Sequence, residues 1–166
     1  MSIGMYGASV PVFVKMLGNL SKLLDKGKAF CEAKKIDPSV LLGMRLAPDM
    51  LPLTAQVQFA TQHVHWGCAL LAGNERPNLE KPEKTIEELQ QRIATAISFA
   101  QSFKPAQIDG SEERDIKLVL PLRTIEFKGQ AYLNNFAMPN FYFHTTTAYA
   151  IMRHAGVPIG KLDFVG

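Results

Sequence analysis

Apolar residues return every three or four positions over four separate windows of this chain, and that spacing constrains its fold more than any other feature. The first window covers residues 8–35. Phe13, Met16, Leu17, Leu20, Leu23, Leu24 and Gly27, then Phe30 and Cys31, form one stripe of an amphipathic helix, with Lys15, Lys22 and Lys26 on the other side. Pro11 sits early, where a helix tolerates it. The second window covers about residues 53–73, with Val57, Ala60, Val64, Gly67, Cys68 and Leu71 as its buried stripe and Gly73 as its C-terminal cap. The third opens on Thr85 and Glu88, a capping box, and continues through Ile86, Leu89, Ile93, Ala96, Ile97, Ala100 and Phe103 to a stop at Pro105. Glu88 and Arg92 read as an i,i+4 ion pair. The fourth covers about residues 130–155. Pro139 lacks a donor and crowds the preceding turn, so the final helix is expected from about Pro139 to Ala155, with Gly156 closing it.

The connections are less regular. In "IDPSVLLGMRLAPDMLPL", Asp37 before Pro38 reads as the N-cap of a short helix that stops near Gly43. Asp49 reads as a further helix cap rather than a base, and Arg45 reads either as its partner or as a solvated side chain. "GNERPNLEKPEK" is a polar loop with two prolines. Within residues 106–129, "IKLVL" and "TIEFK" are short β-rich runs separated by "PLR", which predicts a small hairpin. Together these predict an all-α fold, an antiparallel four-helix bundle with a β-hairpin between the third and last long helices. The 166 residues, 47% of them hydrophobic, fit one domain spanning 1–166 with one continuous core.

Lys and Arg number 18 against 15 Asp and Glu, and no run of them forms the basic stripe that phosphate backbones require, so nucleic acid is not an expected partner. No apolar run approaches the roughly 18–20 residues of a membrane span. The N-terminal stretch has no basic segment followed by an apolar one, and a cytoplasmic location is expected. Cys31 and Cys68 lie far apart outside any CxxC pair and read as buried reduced thiols, with a lone disulfide as the alternative.

The search for a site turns on four histidines, beside an aromatic cluster of Phe136, Phe141, Tyr142 and Phe143 that reads as plain core or as the lining of a pocket or dimer face. His63 lies at the edge of the second helix's buried stripe, whereas His65 falls with Thr61 and Ala72 toward the outer face. Two positions apart on a helix, they point about 200° away from each other and cannot share an ion. His144 shares a stripe with Ala148, Ile151 and Ala155 and points inward. His154 lies about 80° round the helix from it and some 15 Å along, and with Arg153 it suits the negative end of the last turn. The pair worth testing is therefore His63 with His144. They read either as core histidines hydrogen-bonded to neighbouring hydroxyls, as members of a ligand pocket with Tyr142 and Tyr149, or as two metal ligands. A catalytic zinc takes three protein ligands, and the third is missing. No nucleophile elbow, P-loop or dinucleotide fingerprint occurs. Trp66 reads as core edge or as part of an interface.

The stretches "SVPVFVKMLGNLSKLLDK", "LLGMRLAPDMLPLTAQVQFA", "CALLAGNERP" and above all "MPNFYFHTTTAYAIMRHAGVPIGKLDFVG" resemble a bacterial family defined only as a domain of unknown function, within the DinB/YfiT-like superfamily. The resemblance runs over nearly the whole chain. It implies an antiparallel four-helix bundle, often homodimeric. It also implies a divalent metal, zinc or nickel, on one histidine of the second helix and two of the last, four residues apart. Some such proteins are thiol-dependent transferases or isomerases. Here Asn140 stands four residues before His144 and Ala148 four after, so the second histidine of that pair is absent. The residues leave open whether the chain is an enzyme. The favoured expectation is a homodimer that binds a small ligand without metal. The alternative is a metal-dependent enzyme using His63 and His144, with Tyr149 orienting substrate.

Overall fold

The computed structural model describes residues 4–120 and 122–166. Met1–Ile3, at the start of the stretch read for a leader, and Pro121, in the expected hairpin turn, lie outside the described residues. The chain is mostly helical. Its elements are α1 (Val10–Lys34), α2 (Pro38–Gly43), α3 (Leu53–Leu71), α4 (Ile86–Gln101), α5 (Pro105–Ile108), β1 (Asp115–Leu120), β2 (Arg123–Lys128), α6 (Gly129–Tyr132), α7 (Met138–His154) and α8 (Lys161–Val165). A π-helical turn, Leu133–Ala137, joins α6 to α7.

The four expected long helices are α1, α3, α4 and α7. Their local chemistry follows the sequence closely. Asp37 accepts from the Ser39 amide at the start of α2. Thr85 and Glu88 close a reciprocal box at the start of α4. Gly73 and Gly156 turn left-handed just beyond α3 and α7, at φ of 79° and 93°. α3 packs against α7 and α4, while α1 packs against α4, α7 and the short α8. The core they share includes Phe13, Leu17, Leu20, Leu24, Val57, Val64, Leu89, Ile93, Phe141 and Ile151. Phe13 meets Phe141 edge-on at 5.0 Å, and a Cβ on Gly67 would come within 3.1 Å of the Phe13 ring. The β-strands pair antiparallel, Leu118 opposite Ile125. Ile116 and Leu118 turn inward, and Val119 is exposed.

Three expectations change. Arg92 does not pair with Glu88, whose carboxylate is taken by the Lys84 and Thr85 amides. It pairs instead with Glu83 at 2.7 Å, with both side chains largely buried (9% and 11% exposed). His65 is not on an outer face. α3 is buried almost all round, because α4 covers the side that a three-stripe helix would leave to water. His65 stacks on Phe99 at 4.6 Å, with Nδ1 2.9 Å from the Thr61 carbonyl. Asp49 caps no helix among the described residues. Pro52 holds the N-cap position of α3, and Arg45 donates to the Met50 carbonyl.

Candidate functional site

A groove of about 440 Å³ opens between α3 and α7. On α3, Phe59, Gln62, His63 and Trp66 recur at i, i+3, i+4 and i+7, a second stripe beside the core stripe. On the other wall, Phe136, Asn140 and His144 recur every four residues. Phe136 belongs to the π turn. Pro139 cannot donate a backbone bond, so the helix widens just before it, and the Asn140 side-chain amide donates back to the Phe136 carbonyl at 2.7 Å. Leu51 and the hairpin residue Leu120 close the ends.

The structure brings His63 and His144 together, their rings 5.6 Å apart and 15° from parallel. His144 also stacks on Phe59 at 5.1 Å, and its Nδ1 lies 2.8 Å from Gln56 Oε1. His63 meets Trp66 and Phe136 edge-on, and its Nδ1 is buried without a partner. Burial drives both imidazoles toward the neutral form. His63 falls to about 3, with His144 and Lys81 adding to the effect. His144 falls to about 4, with Lys81 adding.

Two cations come from the loop between α3 and α4. Lys81 places Nζ 3.2 Å from the Phe59 ring centre, and Arg76 lies 4.4 Å over Trp66. Neither is in an ion pair among the described residues. Burial lowers the Lys81 pKa, with Arg92 adding to the effect and Glu83 opposing it. No described residue lining the groove is acidic. The loop itself is anchored by Arg92, which donates to Glu83, to the Glu80 carbonyl and to Thr61. A second groove, of about 360 Å³, is lined by His65, Glu83, Glu88 and Arg92 among others.

Tyr142 and Tyr149 are elsewhere. Tyr142 is exposed, and Tyr149 packs on Phe164 at 5.7 Å. Cys68 is buried, which raises its thiol to about 12, and it is not bonded to Cys31. Sequence reasoning missed Gln56, Phe59, Arg76 and Lys81. The spacing of Gln56, Phe59, His63 and Trp66 along α3 was the available signal for part of this set. The loop cations carry no periodicity.

A family model described as "Domain of unknown function (DUF1993)" matches residues 5–165. The chain belongs to the DUF1993 family. A DinB family member protein from Shewanella denitrificans is 40% identical in sequence, with a TM-score of 0.88, over 97% of this chain and 91% of that one. No curated protein matches. For this DUF1993 chain, the three-histidine metal set implied by the DinB-like resemblance can be tested against the groove. The groove holds two imidazoles, and Asn140 occupies the wall position four residues before His144. Ala148 is buried in the core. Among the described residues, no group of three or more His, Cys, Asp or Glu is placed to hold a metal ion. Among the described residues, the groove that holds the histidines is lined by two cations and no carboxylate. This donor set does not fit a divalent cation. No helix among the described residues is long and apolar enough to cross a membrane.

Proposed function

We propose that this chain is a small-ligand-binding protein built as an antiparallel four-helix bundle, and that its groove takes an organic anion with an aromatic or apolar frame. The observation that carries this reading is the lining. Arg76 and Lys81 are in no ion pair among the described residues and flank a wall of Phe59, Trp66 and Phe136. Lys81 is half-buried, and a partly desolvated cation needs a counter-charge that an anion entering the groove supplies, while the exposed Arg76 adds to the attraction. Aromatic faces give the frame its contact area.

The metal-dependent reading has weaker support, since its third ligand is absent and the local field repels a cation. A homodimer in the cytoplasm completes the proposal. Exposed Leu122, Val119 and Phe143 are consistent with a second copy, and sedimentation of the purified chain tests it.

The ligand reading is tested by calorimetric titration with benzoate against benzylamine, two probes of one frame and opposite charge. Benzoate binding that salt weakens, with benzylamine inert, is the expected result. Preference for benzylamine, or indifference to both, would overturn it.

A further inference from the structure

The hydrogen bonds behind the two imidazoles decide what each presents to the groove. The Leu51 carbonyl can only accept, and it takes a bond from Gln56 Nε2 at 3.0 Å. Gln56 is 1% exposed, so this bond orients its amide, with Oε1 turned to His144 Nδ1 at 2.8 Å. An amide oxygen also only accepts, so the proton of neutral His144 is on Nδ1. Nε2 therefore keeps its lone pair, and no group among the described residues takes it. His63 is arranged the other way. Its Nδ1 is buried and unpartnered. An orphaned buried N–H is rarer than an under-satisfied acceptor, which puts the His63 proton on Nε2. The two rings are stacked, 5.6 Å apart and 15° from parallel. One offers an acceptor and the other a donor.

A hydroxyl is the group that answers both, donating to one nitrogen while accepting from the other. We infer that the groove is built for a hydroxyl-bearing organic anion. Its hydroxyl sits between His144 Nε2 and His63 Nε2–H, and its anionic group is on Lys81 and Arg76. This rests on the anion-binding reading above and adds the hydroxyl to it. Gln56 is a positioning residue: it touches no ligand but holds His144 in the tautomer that accepts.

Two measurements test this. Long-range proton–nitrogen spectra of the ¹⁵N-labelled protein at pH 7 report each tautomer directly. Nδ1–H at His144 and Nε2–H at His63 are expected, and the opposite tautomer at His144 overturns the inference whatever binds. Titration with 3- and 4-hydroxybenzoate against benzoate then reads the hydroxyl. At least one hydroxybenzoate should bind roughly tenfold more tightly than benzoate. Gln56→Leu should remove that advantage while leaving benzoate affinity intact. If Gln56→Leu does not fold, His144→Phe keeps the stacked ring and should bring the hydroxybenzoates down to whatever affinity that variant has for benzoate. Benzoate binding with no hydroxyl preference overturns the inference alone. Failure of every benzoate to bind removes the anion reading as well.

Discussion

The two groove histidines couple the stability of the protein to pH. In the unfolded chain each takes up a proton near pH 6.5, whereas in the folded protein His144 resists until about 4 and His63 until about 3. The unfolded state therefore binds more protons as pH falls through 6.5, and the stability held above that value is lost progressively toward pH 4. A loss on the order of 2–4 kcal/mol between pH 7 and pH 4 is expected, allowing for solvent at the groove mouth, and urea unfolding at each pH measures it. His63→Phe should flatten that dependence, and an unchanged slope would show that the histidines are not its source. At the same scale, Lys81→Glu should weaken benzoate binding on the order of tenfold while lowering the melting temperature by only a few degrees, because Lys81 makes no ion pair among the described residues and gives up only its contact with the Phe59 ring. Equal affinity in wild type and variant would place the anion elsewhere.

Elements position these side chains, and two junctions do most of it. Gly129 opens α6 against the segment before the hairpin, where a Cβ would come within 1.9 Å of the Ser111 carbonyl oxygen and the next amide bonds Glu112. Gly129→Ala should cost roughly 1–3 kcal/mol in thermal unfolding, since backbone rather than a flexible side chain must move. Arg92 ties the loop carrying Arg76 and Lys81 to α4. Its removal leaves the buried Glu83 without its cation and with only Gln58 Nε2 donating to it, so Arg92→Ala should cost about 3–5 kcal/mol and should weaken benzoate binding as well. The long helices were legible because 3.6-residue periodicity and capping chemistry are local. The Glu88–Arg92 pairing was misread because spacing alone does not say that the capping box has already used the carboxylate. His65 was misplaced for a similar reason: a helical wheel shows one stripe, but not that a neighbouring helix covers the other face.

At the scale of the whole molecule, the pairing of His63 with His144 was accessible from helix geometry, because both lie on inward faces of helices that pack together. The rest of the groove was not. Lys81 and Arg76 sit in an irregular loop whose path depends on the tertiary Arg92 anchor, and Asn140 and Phe136 depend on a π turn set by Pro139. The same geometry separates this chain from a three-histidine metal centre, since cations now face the imidazoles. The central claim is that this groove selects an anion over a divalent metal. The most direct measurement is the melting temperature of protein purified without added metal, recorded against benzoate and, separately, against zinc chloride at a few equivalents. A ligand of the native state must raise stability. The expected result is a concentration-dependent rise with benzoate that Lys81→Glu shifts to roughly tenfold higher benzoate, and no rise with zinc. A stoichiometric rise with zinc that is lost in His63→Ala and His144→Ala, with benzoate inert, would contradict it.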